Sequence, residues 1–65
     1  MYTVIAENHV QTVKFEENYL EKSYAVQMFN VACKCVDCAY AMLLDARTGE
    51  ILADYSGVSH EVTIF

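Results

Sequence analysis

The sequence predicts an α+β fold, an antiparallel sheet of four or five strands with one long α-helix packed across it. Two observations support this prediction. Runs with strand-type alternation flank one helical segment in the order β-β-α-β-β, and a last alternating run allows an extra C-terminal strand. The 65 residues allow a single small domain, residues 1–65. Since such a chain buries only about 60% of its unfolded surface, we expect a metal or a partner chain to support the fold.

The first hairpin is predicted from residues 2–7 and 10–15. Residues 2–7 alternate between two faces, and residues 10–15 are rich in β-branched and aromatic side chains. The pair Asn8-His9 between them suits a tight turn, because Asn tolerates the left-handed region.

A helix is predicted over residues 19–36. Asn18 is a candidate N-cap with Glu21 in the capping-box position, and about 1.5 Å per residue gives a length of roughly 27 Å. One apolar stripe at three- and four-residue steps comprises Leu20, Tyr24, Met28, Val31 and Cys35. A second row comprises Val26, Phe29 and Cys33. A helix on one sheet needs only one stripe, so the second row predicts a further contact with another chain or with the C-terminal segment.

The second hairpin is predicted from residues 38–46 and 50–56, with Gly49 in the left-handed conformation that closes its turn. Alternation places Ala39, Ala41 and Leu43 on the face toward the helix, where the small alanines allow a close approach. The outer face then carries Cys38, Tyr40, Met42 and Leu44. An apolar outer face predicts that something covers it. Residues 58–65 alternate again and are expected to pair with this sheet or with a neighbouring molecule.

The helix, the following strand and the turn Asp45-Ala46-Arg47-Thr48-Gly49-Glu50 resemble small uncharacterised bacterial proteins of β-β-α-β-β layout that carry a "DA-x-TGE" hairpin. This resemblance covers roughly half of the chain. It implies an antiparallel sheet with one helix across it, and it implies no activity and no catalytic residues.

Composition excludes several classes of function. Nine acidic residues against four basic ones give a net charge of −5, which argues against nucleic-acid binding. No apolar run approaches the ~18 residues of a membrane span, and no secretory signal is visible, so a cytoplasmic location is expected. The odd number of cysteines indicates reduced thiols.

The cysteines are the candidate metal ligands. Cys33, Cys35 and Cys38 follow a C-x-C-x-x-C spacing that could bind Zn²⁺, with His60 or His9 as a fourth ligand. Helical geometry disfavours this site, since residues two apart point about 200° from each other. We favour cysteines that pack as small hydrophobes, and we expect no cofactor. A redox role for the C-x-x-C pair, Cys35 and Cys38, is disfavoured. The pair lies at the C-terminal end of the predicted helix, where the helix dipole raises the pKa of a thiol.

Catalysis is not expected. Asp54, Ser59 and His60 suggest a hydrolytic triad, but adjacent Ser59 and His60 on a strand would point to opposite faces.

The sequence therefore favours a non-enzymatic structural or regulatory protein that acts through protein–protein contact, as a homodimer or with another protein. The candidate interface is either the helix row with Val26 and Phe29, or the sheet row of Tyr40, Met42 and Leu44. One alternative is a small zinc-binding module. Another is an acidic inhibitor or nucleic-acid mimic that binds a basic partner through carboxylates such as Glu16, Glu17 and Glu21.

Overall fold

The computed structural model describes residues 1–9, 14–35 and 37–65. These form five strands and one helix in the order β1 (Tyr2–Asn8), β2 (Lys14–Tyr19), α1 (Lys22–Cys33), β3 (Cys38–Asp45), β4 (Ile51–Ser56) and β5 (Glu61–Ile64). The strands make one sheet of order β2-β1-β3-β4-β5 in which every pair is antiparallel. The predicted α+β class, with its extra C-terminal strand, is confirmed.

The core lies between the helix and the middle of the sheet. The helix packs mainly on β1 and β3. Cross-strand register aligns Val4 with Leu43 and Leu43 with Ala53 on the helix side. The buried apolar residues of this cluster are Val4, Ala25, Phe29, Cys38, Ala41, Leu43, Ala53 and Tyr55.

The predicted faces of β3 are confirmed except at Cys38. Ala41 and Leu43 are buried in the core, whereas Tyr40, Met42 and Leu44 are half-buried on the outer face. The alternation breaks at the start of β3, where the register with β1 shifts between Glu7 and Asn8. Such a bulge re-aims a side chain, and Cys38 is consequently buried in the core rather than on the outer face.

The first hairpin and the helix start differ from the prediction. β2 begins at Lys14, and residues 10–13 of the strand predicted over 10–15 lie outside the described residues. The predicted turn at Asn8-His9 falls partly inside β1, which runs to Asn8. Asn18 is the register partner of Thr3 and accepts a hydrogen bond from its hydroxyl at 2.6 Å. This cross-strand pairing, absent from any local pattern, keeps Asn18 in β2, and the helix begins after Glu21 with no side-chain cap.

The helix stripe predicted from Leu20 to Cys35 is wrong. Leu20 precedes the helix and is 80% exposed, while Tyr24 is 54% and Val31 52% exposed. The helix instead faces the sheet with Ala25 and Phe29. Ala25 allows the helix to approach the strands closely, and a pattern weighted toward large apolar side chains overlooks such a position. The helix also ends at Cys33, three residues before the predicted end.

The turn between β3 and β4 is closed by a backbone hydrogen bond, and a second glycine follows β4. Gly49 has φ +76°, which confirms the predicted left-handed residue, and its N–H donates to the Asp45 carbonyl at 2.7 Å. At the start of the turn between β4 and β5, the Gly57 N–H donates to the Ala39 carbonyl of β3 at 2.7 Å, which extends the pairing of β3 with β4. His60 closes that turn with φ 57°, and the last strand pairs with its own sheet. In the described part of the chain no helix is long and apolar enough to cross a membrane.

Candidate interaction surface

The helix is too narrow to cover the sheet. Five strands at about 4.8 Å spacing place the outer strand axes about 19 Å apart, whereas a helix with its side chains is about 10 Å across. Because α1 lies over β1 and β3, the helix-side face of the sheet is left open at both flanks. A groove runs along each flank.

The groove on the side of β5 has a volume of about 190 Å³. Its floor includes Phe29, Leu43 and Ala53, and its outer wall is the C-terminal segment. We name the three apolar side chains of this wall, Val62, Ile64 and Phe65, the β5 flank. They are 47%, 80% and 71% exposed respectively. Lys22 is the one charged side chain among the described residues that line this groove.

β5 also has a free backbone edge. The Phe65 N–H donates to the Leu52 carbonyl of β4 at 2.9 Å. Backbone groups along a strand point alternately to its two sides, so residues 61, 63 and 65 direct their N–H and C=O groups toward β4. The N–H and C=O groups of Val62 and Ile64 therefore point away from the sheet, toward a side on which the described residues place no further strand.

The groove on the side of β2 is larger, with a volume of about 570 Å³. Its walls include Phe15 of β2 and Met28 and Val31 of the helix, so part of the predicted helix stripe lines a groove, although Met28 also packs against the core. β2 carries Glu16 and Glu17 in the middle of its strand, and adjacent charges of this kind oppose edge-to-edge pairing.

The outer face of the sheet has an apolar centre. Met42 is flanked by Ile5 on β1 and by Asp54 on β4. Tyr40, Met42 and Leu44 are all half-buried by their neighbours within this sheet. This row is therefore less accessible than the β5 flank, although nothing in the described part of the chain forms a second layer over it.

The helix row proposed as an interface lies partly inside the protein. Phe29 is 2% exposed and packs in the chain's own core. Val26 is half-buried, packs against that core and lines the groove beside β5. Both residues therefore contribute the inner wall and floor of that groove rather than a separate surface. The sequence analysis expected residues 58–65 to pair with this sheet or with a neighbouring molecule, but it did not name Val62 and Ile64 as interface residues. Their alternation onto one face of the strand was a usable signal.

The three cysteines are free thiols in different environments. Cys38 is buried, Cys33 half-buried and Cys35 exposed. The Cys38 thiol donates to the Tyr40 carbonyl at 3.4 Å, and the Cys35 thiol to the Val31 carbonyl at 3.7 Å. Burial raises the pKa of the Cys33 thiol to about 11, with a smaller contribution from Cys38. Burial, and secondarily Cys35, also raises the pKa of the Cys38 thiol.

The candidate metal and triad residues do not form a site. Among residues 1–9, 14–35 and 37–65, no three His, Cys, Asp or Glu side chains are placed to hold a metal ion. His60 Nδ1 instead lies 3.4 Å from the Tyr55 hydroxyl. Tyr55 is buried on the helix side, and Asp54 beside it lies on the outer face, so Asp54 and His60 are on opposite sides of the sheet.

Comparison with known proteins adds no family to this description. The chain matches no protein-family model, no curated protein and no solved structure. The resemblance to β-β-α-β-β proteins with a "DA-x-TGE" turn thus stays a prediction.

Proposed function

We propose that this protein is a non-enzymatic structural or regulatory protein that acts through protein–protein contact and forms a homodimer through the β5 flank. The observation that carries the proposal is the coincidence of exposed apolar side chains with a free strand edge. Ile64 is 80% exposed while its backbone groups point away from the sheet. Pairing with the β5 strand of a second copy would bury these side chains and provide hydrogen-bond partners for the free backbone groups.

The exposed side chains of the β5 flank set the scale of the expected affinity. Burying an Ile or Phe side chain is worth about 1.5–3 kcal/mol, and association costs about 4–15 kcal/mol. Two copies of a three-residue flank therefore support a modest affinity, with a dissociation constant on the order of micromolar.

Charge favours this flank over the other surfaces for self-association. Its groove contains Lys22 and no Asp or Glu side chain among the described lining residues. The outer face has Asp54 next to Met42, and β2 has two adjacent glutamates. Two identical copies of either surface would bring carboxylates together, which disfavours contact.

The proposal is tested with a matched pair of variants, Ile64→Lys and Leu20→Lys. Both side chains are 80% exposed, but Leu20 lies between β2 and the helix, outside the β5 flank. Sedimentation velocity across a range of concentrations should show a dimer for the wild type and Leu20→Lys, and a monomer for Ile64→Lys. Equal effects of the two substitutions would contradict a contact at the β5 flank.

The two alternative functions have less support. A zinc module needs converging ligands, and the described residues do not supply a group of three. An acidic mimic needs a row of carboxylates on one surface. Glu16 is opposite Ile5 and Glu17 is opposite Val4, so these two lie on opposite faces of the sheet.

A further inference from the structure

We propose that two copies of this chain join their β5 strands antiparallel about a two-fold axis that passes through Thr63, which makes one continuous ten-stranded sheet. This inference rests on the proposed function, because it specifies the geometry of the same contact. It follows from which backbone groups of β5 are free and from which side chains would meet.

Symmetry limits the possible registers. In an isologous pair with the axis perpendicular to the sheet, both helices lie on the same side. Residues that face each other must then belong to the same face of β5, since side chains alternate along a strand. The axis therefore passes through a residue rather than between two residues, and the central choices are Val62, Thr63 and Ile64.

The free backbone groups favour the axis at Thr63. Val62 of one copy is then opposite Ile64 of the other, and both residues direct their N–H and C=O groups toward the partner. Each such pair exchanges two hydrogen bonds, and the symmetry produces two pairs. With the axis at Val62, only the pair of Val62 with its own copy joins two residues of β5 whose backbone groups are free. Ile64 is then opposite His60, which lies in the turn before β5.

The side chains favour the same register. Val62 meets the partner's Ile64 on the helix side, which buries the exposed apolar surface of both copies. Thr63 meets Thr63 on the outer face, where two hydroxyls can hydrogen-bond. Glu61, the one acidic residue of β5, is not opposite its own copy. Like charges directly opposite each other would destabilise the pair.

Cysteine cross-linking distinguishes the registers. Thr63 would occupy a pair that is not hydrogen-bonded, with its Cα about 4.5 Å from the partner's, within the range of a disulfide. The Cα of Val62 would be about 8 Å from the Cα of the partner's Val62, beyond that range. We therefore compare Thr63→Cys, Val62→Cys and Ile64→Cys under mild oxidation, with the native cysteines retained and the bonds located by peptide mass spectrometry. Thr48→Cys, in the exposed turn before β4, measures random collision.

The expected result is a shift of Thr63→Cys from monomer to a 63–63 disulfide dimer, while the other three variants stay near the wild-type background. A dimeric wild type in which Val62→Cys or Ile64→Cys cross-links instead would overturn the register and leave the proposed function in place. A dimer in which none of the three cross-links would overturn β5 pairing. A wild type that is monomeric by sedimentation would overturn both proposals.

Discussion

Replacing Phe29 by alanine should remove most of the stability of this fold. Phe29 is 2% exposed and packs with Ala25 against the sheet. Truncating a buried Phe costs about 3–5 kcal/mol, through lost burial and the cavity left behind. At about 0.05–0.15 kcal/mol per residue, a chain of 65 residues has a total free energy of unfolding of roughly 3–10 kcal/mol. Phe29→Ala should therefore be marginally folded or unfolded.

Tyr24→Ala is the matched control on the same helix. Tyr24 is 54% exposed and stacks on Tyr19 with ring centroids 5.2 Å apart. Such a pair is worth about 0.5–1.5 kcal/mol. Urea denaturation followed by circular dichroism, at one fixed protein concentration, compares the two variants. A larger loss for Tyr24→Ala than for Phe29→Ala would refute the assignment of the buried helix face.

Two further predictions concern the turns and the thiols. Gly57→Ala should be strongly destabilising in thermal unfolding, because a Cβ there would lie only 2.8 Å from the carbonyl oxygen of Ala39. Gly49→Ala should cost only about 1–2 kcal/mol, since its φ of +76° is strained for alanine but the space around it is open; equal losses for the two would contradict this account. At neutral pH iodoacetamide should modify exposed Cys35 faster than Cys33, whose thiol stays protonated because burial raises its pKa to about 11 from 9.0. The folded state holds this proton more tightly than the unfolded chain, so stability should be unaffected below pH 9.0 and should fall as pH rises toward 11, with a smaller fall in Cys33→Ser.

Local patterns were sufficient to predict the strands whose alternation is undisturbed. The faces of Ala41 and Leu43 and the turn at Gly49 follow from side-chain alternation and from glycine's tolerance of positive φ. Cys38 could not be placed in this way, because a bulge opposite Asn8 interrupts the alternation and depends on the pairing of two distant strands.

Tertiary pairing also decided where the helix begins. Asn18 is of a residue type that is common at helix N-caps, yet its pairing with Thr3 of β1 keeps it in the sheet. The buried face of the helix depended on Ala25, whose small side chain contributes little to a hydrophobic pattern but permits close packing.

The candidate interaction surface was predictable only in part. The excess of apolar residues on the helix indicated a contact with another chain or segment. Phe29 was assigned to that contact, whereas it packs in the core of its own chain. Ile64 is exposed because one helix is narrower than a sheet of five strands and leaves the edge strand β5 uncovered. The position of β5 at that edge is known only once the strand order is known.

Native mass spectrometry of the wild-type protein over a dilution series, with and without a chelator, tests dimerisation most directly. We expect a mass of twice 7.4 kDa at high concentration that returns to 7.4 kDa on dilution and is unchanged by the chelator. A mass of 7.4 kDa at every concentration would contradict the homodimer. A dimer that dissociates when metal is removed would contradict a contact held by the β5 flank alone.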